Sequence, residues 1–112
     1  MAKEFGMFIN GKFTEGMGAQ RLEVHSPSDG ELVGAVPIAT EMEVDAACRA
    51  AQAAFPKWRN MPGAARGQVI TDVSNAVRAH TDGIARLLTR EQGKTLANAK
   101  GEVLGFCAVI QF

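Results

Sequence analysis

The sequence predicts an α+β chain in which two β-hairpins are followed by three to four helices. Three observations carry this reading. Asn10-Gly11 stands between two short runs containing Phe8, Ile9 and Phe13, and this pair best tolerates the positive φ angles of a type I′ turn. Ser26-Pro27-Ser28-Asp29-Gly30 supplies turn chemistry between two further runs, the first of which alternates apolar with polar. From Thr40 onward apolar residues recur at three- and four-residue spacing, the period of a helix face. The boundary falls near Thr40, with a hairpin region at 1–39 and a helical segment at 40–112.

The arms of the first hairpin are Met7-Phe8-Ile9 and Lys12-Phe13-Thr14, and those of the second are Leu22-Glu23-Val24-His25 and the run from Leu32 to Val36. Thr40-Glu41-Met42-Glu43 is a capping box, in which the Thr40 hydroxyl meets the Glu43 amide and the Glu43 side chain reaches back to Thr40. The first helix then carries Val44, Ala47, Cys48, Ala51, Phe55 and Trp58 on one face, read as its buried stripe. Pro56 is expected to end or kink it near Phe55. A second helical run carries Val69, Ile70, Val73, Ala76, Val77, Ile84, Leu87 and Leu88, with a break expected at His80-Thr81-Asp82-Gly83. Gly93 closes that run. Thr95 caps a last helix with Leu96, Ala99, Val103, Phe106, Cys107 and Ile110 on one side, and the absence of a stop signal after Ile110 makes the end read as cut rather than finished.

A length of 112 residues allows one domain or part of one. Eighteen of the hydrophobic residues are alanine, and Leu, Ile, Val and Phe together number only 26, so the core is expected to be thin. Twelve basic residues balance twelve acidic ones. With the basic residues scattered singly, no nucleic-acid partner is expected. The segment from Met1 to Gly6 has neither the apolar run nor the cleavage site of a signal peptide. The uncharged stretch Val103–Phe112 is half the ~20 residues a membrane-spanning helix requires. A soluble, cytoplasmic chain is expected. Cys48 and Cys107 show no CxxC or Cys/His clustering, which argues against a disulfide framework or a zinc site.

None of the motifs that carry chemistry is complete. Gly93-Lys94-Thr95 resembles the end of a phosphate-cradling loop, but Leu88 stands where the first glycine belongs and the preceding segment reads as helix. Gly16-Met17-Gly18 begins like a dinucleotide fingerprint, yet Arg21 takes the place of the third glycine in a hairpin context, and the segment reads as a loop. Cys48 and Cys107 both lie on apolar helix stripes, so both are expected to be buried packing residues rather than nucleophiles. His25 and His80, with no carboxylate or cysteine nearby at ligand spacing, read as surface or capping residues. Glu41, Glu43 and Asp45 read as a solvated acidic helix start favoured by the helix dipole. No residue is assigned a catalytic, cofactor-binding or metal-binding role.

Four segments together resemble the start of an aldehyde dehydrogenase: Phe8-Ile9-Asn10-Gly11-Lys12-Phe13, Ser26-Pro27-Ser28-Asp29-Gly30-Glu31, Ala53-Ala54-Phe55-Pro56-Lys57-Trp58-Arg59 and Glu91-Gln92-Gly93-Lys94-Thr95-Leu96. Their order and spacing match, and the resemblance runs from Met7 to Val103. The stretch from Glu91 to Val103 is most similar to the succinate and methylmalonate semialdehyde types. The resemblance implies a fragment of an α/β protein, namely an incomplete part of the cofactor-binding domain of an enzyme that oxidises an aldehyde or semialdehyde to the acid or acyl-CoA with NAD or NADP. It implies that the nucleophile, base, oxyanion donor and dinucleotide contacts lie beyond Phe112; with no such set among its own residues and both glycine motifs incomplete, the chain alone is expected to be inactive and to bind NAD poorly. The partners implied are the remainder of the parent enzyme and a homo-oligomer. The alternative is a stand-alone interaction module that uses the apolar face of the last helix.

Overall fold

In the computed structural model of the chain, which describes residues 3–111, five strands precede four helices. The strands are β1 (Lys3–Glu4), β2 (Met7–Ile9), β3 (Lys12–Thr14), β4 (Arg21–His25) and β5 (Leu32–Pro37), and the helices are α1 (Glu41–Asn60), α2 (Gly63–Ala79), α3 (Thr81–Gln92) and α4 (Leu96–Val109). Both expected hairpins form. Asn10 and Gly11 take φ angles of 52° and 76°, the positive values of a type I′ turn, and β2 pairs antiparallel with β3 so that Phe8 faces Phe13. Their rings meet edge to face at 5.0 Å, a favoured aromatic geometry.

In the second hairpin, β4 pairs antiparallel with β5, with Leu22 opposite Val36 and Val24 opposite Gly34. The register slips between Val24 and His25, which pairs with Leu32, so Val33 is the extra residue of a bulge. The sequence reading misses β1, which lies parallel to β5 with Lys3 opposite Gly34 and completes a mixed sheet in the order β1-β5-β4. Two residues are too few to display alternation, and this strand exists because β5 offers it an edge.

The described residues fall into two compact units. One joins residues 3–25 to 30–60, and the other joins 26–29 to 61–111. In the first unit, α1 rests on β2, and the buried residues are Val33 and Glu43. Pro56 does not end α1, which continues to Asn60. The bond forfeited is the one to the carbonyl of Gln52, an exposed residue where solvent can take its place. The expected buried stripe of α1 is not buried either: Val44, Cys48, Phe55 and Trp58 are exposed.

The second unit packs α4 against α2 and α3. Its buried positions are small: Ser26, Ser74, Ala85, Ala99, Val103 and Cys107. On α2 the inward face centres on Ser74 and includes Ile70 and Val77, while Val69 and Val73, expected on that face, turn outward. Ser74 and Cys107 bond reciprocally: the Ser74 hydroxyl donates to the Cys107 carbonyl at 2.9 Å, and the Cys107 thiol donates to the Ser74 carbonyl at 3.5 Å. Small residues at both ends of this exchange let the two backbones approach. The break at His80 forms as expected, with the His80 ring donating from Nδ1 to the Ala76 carbonyl and the Thr81 hydroxyl donating to Arg78. Gly93 terminates α3 at φ 73° with its amide donating to Thr89, a left-handed cap that glycine adopts without strain. A Cβ there would also come within 2.9 Å of the Pro27 ring. Thr95 caps α4 by accepting the Asn98 amide. That helix ends at Val109 without a capping side chain.

Candidate functional site

Each group that the sequence singles out has a local assignment. In the first unit Glu43 is buried at 5% exposure, which corrects its reading as part of a solvated acidic end. Its Oε2 accepts the Thr40 amide and the Thr40 hydroxyl, each at 2.8 Å, and its Oε1 accepts the Met17 amide at 2.7 Å. The Glu43 amide in turn donates to the Thr40 hydroxyl oxygen at 3.3 Å. The capping box therefore closes, and it also braces the loop that contains Gly16-Met17-Gly18. The Thr40 amide, then its hydroxyl, then the Met17 amide hold the Glu43 carboxyl below the usual carboxylate range. Glu41 and Asp45 do remain exposed, and Asp45 pairs with Arg49 one turn on, at 2.8 Å.

His25 does have a carboxylate close in sequence. Its Nε2 lies 3.1 Å from Glu23, two residues back on the same face of β4, a proximity that helix or metal-ligand spacing does not reveal but strand alternation does. Cys48 is exposed, which corrects its reading as a buried packing residue. Cys107 is buried as expected, and both thiols are free. In the second unit, Gly93-Lys94-Thr95 follows a helix, and the Lys94 ammonium pairs with Glu102 at 2.5 Å. Lys100 pairs with Asp82 at 2.7 Å and, through that hydrogen bond first, holds the Asp82 carboxyl below its usual range. Among the described residues no three of His, Cys, Asp and Glu gather to hold a metal ion, and no helix is long and apolar enough to cross a membrane.

The remaining feature with functional content is apolar surface. In the first unit a recess of about 430 Å³ is lined by Ile9, Lys12, Phe13, Met17, Met42 and Ala46. In the second a groove of about 310 Å³ runs between Val77, Ile84 and Leu88 on one side and Val103 and Phe106 on the other. Among the described residues seventeen large hydrophobic side chains are exposed, from Phe8 to Val109. Single exposed hydrophobics are ordinary, but contiguous ones mark interfaces.

These strands and helices recur in known proteins. The sequence matches the aldehyde dehydrogenase family over residues 13–112, and the chain belongs to that family. It is 39% identical over 94% of its length to the mitochondrial, acylating methylmalonate-semialdehyde/malonate-semialdehyde dehydrogenase of Mus musculus. It is 38% identical over 85% of its length to an NADP-dependent succinate-semialdehyde dehydrogenase of Escherichia coli. In each case it spans 20% of the relative, in the N-terminal portion. The crystal structure of an NAD-dependent aldehyde dehydrogenase from Sinorhizobium meliloti superposes over 99% of the chain and 23% of that protein, with a TM-score of 0.93 and 28% identity.

Proposed function

We propose that this chain is part of the cofactor-binding domain of an NAD(P)-dependent aldehyde dehydrogenase that oxidises an aldehyde or semialdehyde to the acid or acyl-CoA. The hairpin region 1–39 and the helical segment 40–112 together make an incomplete part of that domain. The nucleophile, base, oxyanion donor and dinucleotide contacts then belong to the remainder of the enzyme, which is also the chain's principal partner, within a homo-oligomer. The observation that carries this reading is the exposed apolar surface: Phe55, Trp58, Ile84, Leu87, Phe106 and Val109 are side chains that a larger body would cover. The share of each relative that the chain spans supports it.

The residues present do not suit a dinucleotide. The Gly16 loop leads from β3 into β4 rather than into a helix, and Lys94 is already engaged by Glu102, so neither loop offers the strand, turn and helix that direct amides at a phosphate. The chain's two free thiols suit a reducing compartment such as the cytoplasm. The alternative of a stand-alone module loses much of its surface, because Ala99, Val103 and Cys107 of α4 are covered by α2 and α3, leaving Leu104, Phe106 and Val109 outside.

Calorimetric titration of the purified chain with NAD and NADP, alongside assays for reduced nucleotide with several aldehydes, tests the proposal. Weak or no binding and no turnover are expected. A micromolar dissociation constant, or turnover abolished by changing Cys48 or Cys107, would overturn it. Light scattering coupled to size exclusion is expected to show self-association, whereas a sharply melting monomer would favour the stand-alone module.

A further inference from the structure

His25 ends β4 with both ring nitrogens in use: Nδ1 lies 3.1 Å from the Gly30 carbonyl oxygen, and Nε2 lies 3.1 Å from Oε2 of Glu23. Carbonyl and carboxylate oxygens only accept hydrogen bonds. Both contacts are hydrogen bonds at once only when both nitrogens carry protons, and that species is the imidazolium. Either neutral tautomer keeps one bond and turns a lone pair toward the other acceptor. The contact to Gly30 spans the 26–29 loop and closes its base, beside the bulge at Val33. Within the loop Ser26 is buried with its hydroxyl 2.9 Å from that of Ser28, and Pro27 lies against Gly93.

We propose that His25 is a pH-operated clip, which as the imidazolium ties the Gly30 carbonyl to the Glu23 carboxylate across the base of the 26–29 loop and, on losing a proton to water, drops one of these bonds and loosens the loop. The charged residues on the neighbouring elements are Arg21 and Glu23 on β4 and Asp29 and Glu31 on the connecting segment, while the paired strand β5 carries none from Leu32 to Pro37; of these, Glu23 is the one that acts on the His25 ring. The Gly30 carbonyl first, and the Glu23 carboxylate second, raise the His25 pKa above its ordinary value of 6.5. A raised pKa means that the clip's contribution is fully present below that ordinary value and is lost as pH rises through the folded one.

The test is a pH titration of the ¹⁵N-labelled full chain, observing the His25 ring nitrogens and the amide protection factors of residues 28–32, with Glu23→Gln as the variant. Expected are doubly protonated ring nitrogens persisting above the ordinary histidine midpoint, a downward shift of that midpoint in Glu23→Gln, and a loss of loop protection that tracks the wild-type titration. A His25 midpoint at or below the ordinary value, an unshifted midpoint in Glu23→Gln, or protection independent of the titration would each overturn the clip.

Discussion

Helices α1 and α4 look alike in sequence and end up in opposite situations. Each follows a threonine that caps it, and each sets a cysteine in a stripe of apolar residues at helical spacing. Yet Cys107 is fully buried with Ala99 and Val103 on its face, whereas Cys48 is exposed along with Val44, Phe55 and Trp58. The size of the residues accounts for part of the difference. Ala99 and Cys107 are small enough for α2 and α3 to approach closely, and Ser74 and Cys107 exchange hydrogen bonds with each other's backbones. A stripe closing on Phe55 and Trp58 needs a broad surface to cover it. An apolar face therefore records that a helix is built to be covered, and leaves open whether this chain supplies the cover.

The strongest way to break the comparison is to place a carboxylate on each face. Ala99→Asp would leave a carboxylate unpaired where even a neutral polar group costs roughly 2–7 kcal/mol, and the second unit is expected to unfold, seen as lost helical circular dichroism. Val44→Asp, on an exposed face, should stay within about 0.5 kcal/mol in urea titration of the chain. Equal losses would show that α1 is as buried as α4. Thiol labelling sharpens the same point: Cys48 should react with a maleimide in the native chain, and Cys107 only after urea unfolds it.

Caps come next in size. Thr40→Ala should cost ~1 kcal/mol, and Thr95→Ala toward the low end of the ~0.5–2 kcal/mol range for caps, because Thr40 also donates to Glu43 while Thr95 serves the Asn98 amide. Comparing the two melting temperatures checks the order. Acid should act on both units. Glu43 and Asp82 both titrate below their ordinary values, so their contributions are present above those values and are lost as pH falls through the folded ones. In Thr40→Ala the Glu43 share of this acid sensitivity should shrink, as chemical denaturation at a series of pH values would show. The smallest effect belongs to the exposed Asp45–Arg49 pair. Asp45→Ala is expected to change stability by no more than ~0.3–0.5 kcal/mol, the usual worth of such a helix pair.

Much of the architecture was legible because its causes are local. Asn10-Gly11 dictates its turn through backbone sterics, Thr40-Glu41-Met42-Glu43 and Thr95 satisfy amides within a single helical turn, and Gly93 ends a helix by adopting a conformation that other residues resist. Such interactions span a few residues and need no partner from elsewhere. The order of Phe8–Phe13, Ser26–Glu31, Ala53–Arg59 and Glu91–Leu96 was likewise enough to identify the family. Only the tertiary structure decided the burial of Glu43, whose third hydrogen bond comes from Met17, 26 residues earlier. It also decided which face of α2 turned inward, since Ser74 is selected by Cys107 across 33 residues rather than by its own hydrophobicity. Strand β1 exists only against β5, and α1 continues past Pro56 because the carbonyl deprived of its donor lies on the exposed residue Gln52. Periodicity reports which residues share a face, but burial depends on what another part of the chain brings to that face, and that information is not stored in the segment itself.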